Sequence, residues 1–229
     1  MTTLDPAMLQ DAARQALIQD ECSLSYFVFA DNFSELSLLL QTIEDLISKE
    51  ETEEVDRLAG FADALPVERR SEYWAENHPY WWEHVIAPQF RASFLITLMG
   101  ATEFHLGMLA RDGATIVRSP IGPEDMKGGF YQRTRRFLSL FCNFDSPSAA
   151  VWERIGDLYA VRNALVHAGG FIRDNEGGRV RAFAGRVQGL RVTSDRIEMD
   201  RAFCQLALNE CRGFLMEVWQ ELVLLCRRA

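Results

Sequence analysis

The sequence is short of lysine, of paired cysteines and of any long apolar run, and each shortage narrows the field. Only Lys49 and Lys127 occur, so nearly all the positive charge is carried by arginine. Arginine grips phosphate through a planar fork, whereas lysine acts as a point charge. The five cysteines, Cys22, Cys142, Cys204, Cys211 and Cys226, contain no CxxC pair. An odd number without ligand spacing argues against a disulfide framework and against zinc, and fits small core thiols in a reducing compartment. The opening "MTTLDPAMLQDAARQALIQD" has neither a basic n-region nor an apolar h-region, so it is not read as a secretory signal. The most apolar stretch, "FLITLMGA" at 94–101, falls short of the roughly 20 residues that span a bilayer. These features predict a soluble, cytoplasmic chain with no membrane role. There is no P-loop, no GxGxxG and no HExxH. No internal repeat or low-complexity tract is apparent.

What is present is an ordinary globular composition, 48% hydrophobic, in 229 residues. A chain of this size buries enough apolar surface to fold without a disulfide or a structural metal. Net charge is −9, which argues against an extended nucleic-acid-binding surface. The charge is unevenly spread: residues 1–90 hold 18 acids and 5 bases, a net of −13, leaving +4 for residues 91–229. Either the acidic part is a solvated helical face, or any polyanion is handled by the C-terminal part alone.

Apolar residues recur at helical spacing along most of the chain, predicting an all-α fold. A first helix begins with Asp5 as N-cap and Pro6 in the first turn. "FSELSLLLQTIEDLISKE" predicts a second, with shorter helical segments near 52–64 and 67–76 separated by Pro66. Residues 89–111 read as one helix, apolar nearly all round and therefore central. "RDGATIVRSPIGPED" reads as a loop, and "PEDMKGGFYQRTRRFLSLFCNF" as a helix carrying Arg133, Arg135 and Arg136. The next helix opens at Ser146–Pro147 and closes on Gly169–Gly170. "GLRVTSDRIEM" fits a short β-hairpin near 188–199, and a last helix starts at Asp200, packing Phe203, Leu206, Cys211, Phe214, Val218, Leu222 and Leu225. The expected division is an acidic helical N-terminal extension, 1–88, and a helical bundle, 89–229.

The chemistry concentrates in "VRNALVHAGG" at 161–170. On a helix Asn163 and His167, four apart, share a face, while Arg162 lies roughly 140° round the axis from His167 and about 7.5 Å along it. A long Arg side chain can bridge that angle. His167 falls in the last turn, where unpaired carbonyls favour a cation, and an ordinary imidazole, with pKa about 6.5, can serve as an acid near neutrality. Such a set suits cleavage of RNA by attack of its own 2′-OH on the adjacent phosphate. That reaction needs proton transfer and positive charge on the phosphate oxygens, without a metal. The plainer alternative is a histidine favoured by the helix end and an arginine paired with a neighbouring acid.

"RNALVH" resembles the R-x4-6-H signature of the HEPN superfamily, with Asn163 as the polar residue that commonly follows its Arg. "RASFLITLMGATEFHLGML" resembles the family's first core helix, whose embedded Glu is here Glu103. "MKGGFYQRTRRFLS" is similar to the following helix, and "LRVTSDRIEMDRAF" to the turn before the last. The resemblance covers about residues 89–225. It implies a helical bundle that pairs through its motif helices into a homodimer, and a metal-independent endoribonuclease acting as a toxin or phage-defence effector. Arg162 and His167 would then be catalytic and Asn163 supporting, with RNA as substrate, no cofactor, and an antitoxin or regulatory protein as a further partner. One His per chain leaves an acid–base pair to be completed by a second copy. Some members keep the helix pair yet cleave nothing, so the alternative is a non-catalytic HEPN-like module that binds RNA or protein. Where relatives paired with nucleotidyltransferases carry a Tyr after the His, this chain has "AGGF".

Glu103 sits at helical spacing among apolar residues, and a buried carboxylate needs a partner. Arg162 and His167 are candidates, as are Arg91, Arg111 and the arginines at 133–136. His105 reads either as facing the cleft or as a core histidine with one hydrogen bond. Arg133, Arg136 and Arg173 are candidate RNA contacts, and Arg179, Arg181, Arg186 and Arg191 could track a phosphate backbone or simply be solvated. The aromatics of "YWAENHPYWW" either stack bases or fill a junction between helices. His78 and His84, six apart beside Glu76 and Glu83, make a poor metal set.

Overall fold

Between Pro6 and Gly60 the sequence contains neither proline nor glycine, and the structure shows what that permits. The three helical segments expected before residue 64 are one continuous helix, α1, Pro6–Asp63, because nothing between them breaks the hydrogen-bond ladder. The computed structural model describes residues 6–77, 81–172 and 177–228, with side chains from residue 24 onward except Glu83. The expected cap Asp5, His78 and Arg173 lie outside the described residues, as do the side chains of Cys22 and Glu83. After α1 come α2 (Val67–Glu76), a π-helical turn (Trp82–Ile86), α3 (Ala87–Ile116), a 3-10 turn (Pro123–Asp125) and α4 (Phe130–Phe141). Then follow α5 (Ala149–Ala168), α6 (Gly177–Ala184), β1 (Leu190–Thr193), β2 (Arg196–Met199) and α7 (Arg201–Arg228). The fold is all-α with one antiparallel hairpin, Leu190 opposite Met199 and Thr193 opposite Arg196.

Several boundaries differ from the sequence reading for local reasons. Helix α3 runs on through "RDGATI", since Gly113 sits where close packing needs it: a Cβ there would meet Cys142 Sγ at 3.0 Å. Helix α4 starts only at Phe130, because Gly128 takes a φ of +118°. Ser148 rather than Ser146 caps α5, its Oγ accepting from Val151 N at 3.4 Å, while Ser146 Oγ donates to Glu217 Oε2 at 2.9 Å. Helix α7 starts at Arg201, one residue after the expected Asp200, which caps it by accepting from Phe203 N at 3.0 Å.

The expected apolar stretch 94–101 belongs to a longer helical run, 84–116, which by length and composition alone could cross a membrane. Its Phe94, Leu95, Leu98, Met99, Leu106 and Leu109 are buried within the protein, the ordinary reason for a helix that is apolar all round.

The chain divides into two compact units, each discontinuous in sequence. The first comprises Met1–Glu35, Leu98–Tyr159 and Leu208–Ala229. Its core includes Phe29, Phe33, Met99, Phe137, Ile155 and Phe214, with Trp152 edge-on to Phe214 and Cys211 Sγ 3.8 Å from Met99 Sδ. His105 is buried here with its Nε2 3.1 Å from Asn32 Oδ1, so it is the core histidine and not a cleft residue. Cys142, Cys204 and Cys211 are buried thiols, and burial pushes the last two up to a pKa of about 12.

The second unit comprises Leu36–Thr97 and Ala160–Ala207. Leu36, Leu40, Ile47, Phe94, Phe183 and Phe203 are buried in it. Glu44, buried in this core, accepts two bonds of 2.8 Å from Arg91 Nε and Nη2, which hold the guanidinium above its usual pKa.

Candidate functional site

Helix α5 stops because the two residues after it take left-handed backbone: Gly169 has φ +61° and Gly170 φ +84°. Gly170 N donates to Ala164 O at 3.0 Å and Phe171 N to Ala168 O at 3.0 Å, which satisfies two of the last carbonyls. The chain leaving the helix is then held against the hairpin. Ile172 N donates to Asp195 O at 2.7 Å, Ile197 N donates to Gly170 O at 2.9 Å, and Phe171 bridges Arg196. Ser194 and Asp195 make the hairpin turn with φ of +48° and +65°, values that short polar residues tolerate.

This anchored helix end borders an open cleft of about 480 Å³. Asn163 and His167 line it together, as their spacing predicts, with Ala160, Ala164, Phe171 and the α6 residues Gly177 and Val180. His167 is exposed and has no hydrogen-bond partner among the described residues, which leaves both ring nitrogens open to a ligand. Arg162 is half-buried and does not itself line the cleft. Its Nη1 donates to Asn163 Oδ1 at 3.0 Å. With its oxygen so engaged, the Asn163 amide turns its NH2 group, a donor of two hydrogens, to other acceptors. The guanidinium therefore touches the cleft through Asn163.

The remaining expected residues are not among those that line this cleft. Glu103 is half-buried, belongs to the first unit and has an interaction partner. Arg133 and Arg136 lie on α4 in the same unit, Arg133 with its guanidinium 5.8 Å from the Phe130 ring centre and Arg136 exposed beside Lys127 O at 3.4 Å. In the second unit Arg181 pairs with Asp195, and Arg191 lies 3.8 Å from Glu198. His84 is exposed, and among the described residues no three His, Cys, Asp or Glu side chains gather as a metal set.

Two residues that the sequence reading did not single out stand beside the cleft: Phe171, exposed and lining it, and Arg196, whose guanidinium lies 5.9 Å from the Phe171 ring centre. The one local hint was an apolar aromatic directly after a Gly–Gly helix end. Their meeting depends on the pairing of 170–172 with 195–197, which spacing does not disclose.

Compared with known protein families, with curated proteins and with solved structures, the chain matches none.

Proposed function

We propose that the chain is a metal-independent endoribonuclease of HEPN type that acts as a homodimer on RNA. The observation that carries the reading is the shared cleft of Asn163 and His167, with the Arg162 guanidinium bonded to Asn163. In the reaction the 2′-oxygen loses its proton and bonds to the adjacent phosphorus. The bond to the 5′-oxygen breaks, and that oxygen takes up a proton. The products are a 2′,3′-cyclic phosphate and a 5′-hydroxyl. His167 moves one of these protons. The Asn163 amide and the charge of Arg162 stabilise the phosphate oxygens as they gain charge. A second copy supplies the other proton-transfer group, which is why the reading requires a dimer.

The test is RNA cleavage in EDTA by wild type, His167→Ala and Arg162→Ala. Each substitution should reduce the rate about 10²–10⁴-fold, the usual worth of positioned proton transfer. Cleavage unchanged in both variants removes the proposal. A toxin or defence role, with a cognate antitoxin in the cytoplasm, predicts growth arrest on expression that His167→Ala relieves.

The second reading, a module that binds RNA or protein without cutting, is favoured by the position of Arg162, half-buried and away from the cleft lining. Protection of RNA by a wild type that never cleaves it would select that reading.

A further inference from the structure

We propose that Phe171 and Arg196 form a nucleobase-binding subsite on the His167–Asn163 cleft, taking one unpaired base of single-stranded RNA. The choice of ligand rests on the ribonuclease reading; the geometry of the subsite does not.

Phe171 is 54% exposed, although it lines the cleft and its backbone is fixed on both sides. The Ile172–Asp195 and Ile197–Gly170 hydrogen bonds hold the segment against β2, so the ring is presented by a rigid support. Ordering that aromatic on binding therefore costs little. Arg196 covers one face of the ring, leaving the remainder open to the cleft.

Arg196 differs from the other arginines of its surroundings. Arg181 is neutralised by Asp195 and Arg191 by Glu198, whereas no carboxylate pairs with Arg196 among the described residues. It also lines a second cleft of about 140 Å³ with Gly169 and Gly170. An open π-face beside an unneutralised guanidinium suits a base with its phosphate: the ring stacks on the base and the cation meets the backbone. An aliphatic peptide side chain would use the ring and leave the cation unanswered. Stacking is tolerant of base identity, so the subsite positions the strand without reading sequence.

The probe is a 2′-O-methyl oligonucleotide carrying 2-aminopurine, which cannot be cut because its nucleophile is blocked. Wild type should bind it and quench its fluorescence. Phe171→Ala should weaken binding about tenfold and abolish the quench, as loss of one stacked base does. Phe171→Trp should retain both, and Arg196→Ala should weaken binding and reduce its dependence on salt. If Phe171→Ala does not fold, Phe171→Leu, apolar but without a π-face, takes its place with the same expectation. Equal affinity and quench in wild type and the Ala or Leu variant overturns the subsite, as does a wild type that does not bind the oligonucleotide. Quenching without any cleavage of ordinary RNA keeps the subsite and removes the nuclease; cleavage with no effect of Phe171 does the reverse.

Discussion

Two histidines of this chain sit in opposite surroundings, and their consequences differ. His167 is exposed at a helix end, whereas His105 is 4% exposed and flanked by the rings of Phe29, Phe33 and Phe104. Burial lowers the His105 pKa below its ordinary 6.5, because a charged imidazole loses its hydration there. The unfolded chain restores the ordinary value, so it binds the proton more readily than the folded one. Stability from this group is complete above about pH 6.5 and is lost as the pH falls from there toward the lowered folded value. The urea midpoint should therefore drop between pH 7.5 and pH 5.5. In His105→Gln, which keeps a donor toward Asn32, it should drop less. Carboxylates titrate in both proteins and cancel in the comparison. Parallel pH profiles would show that His105 is not held neutral.

Backbone conformation at the ends of helices and strands sets the second class of expectations. Gly169 and Gly189 both have positive φ, +61° and +81°, yet their surroundings differ. A Cβ on Gly169 meets nothing within 4 Å, so Gly169→Ala should cost only the left-handed backbone, about 1–2 kcal/mol. A Cβ on Gly189 would lie 2.1 Å from Asp200 Oδ1 and 2.7 Å from Phe203 N, the two atoms of the α7 cap. Gly189→Ala should add the loss of that cap, about 1 kcal/mol, and the displacement of the chain around it. Denaturant unfolding decides between them, and equal losses would contradict the cap geometry. These same elements explain what the sequence disclosed. The hairpin and the start of the last helix were readable because turn and helix-start chemistry is local, and the shared face of Asn163 and His167 was readable because four residues make about one turn. The joining of three predicted segments into α1 was not, since composition changes along it while nothing breaks it. Nor was the Arg162–Asn163 bond, which depends on rotamers that spacing leaves open.

The acidic first 88 residues invite the idea of a removable cover, and the packing bears on how that idea can be tested. Helix α1 places Phe29 and Phe33 in the core of one compact unit, and Leu36, Leu40 and Ile47 in the core of the other. Burial of each such side chain contributes about 1.5–3 kcal/mol, so these five together amount to roughly the 5–15 kcal/mol by which a whole domain is stable. Deletion would also remove Glu44, the buried carboxylate that pairs with Arg91 at 2.8 Å. A chain of residues 89–229 should therefore show no cooperative unfolding transition and should aggregate on expression; a soluble fragment with a sharp urea transition would refute this. The question of masking is then better put to the intact protein. Asp31, Glu35, Asp45 and Glu53 are exposed on α1, and their amide variants remove charge while leaving the buried face whole. If the acidic face repels RNA or covers the cleft, those variants should bind the 2′-O-methyl oligonucleotide more tightly at low salt, with the gain vanishing at high salt because a Debye length is about 3 Å at 1 M. Unchanged affinity at every salt concentration would mean that α1 is scaffold, its negative charge serving solvation alone.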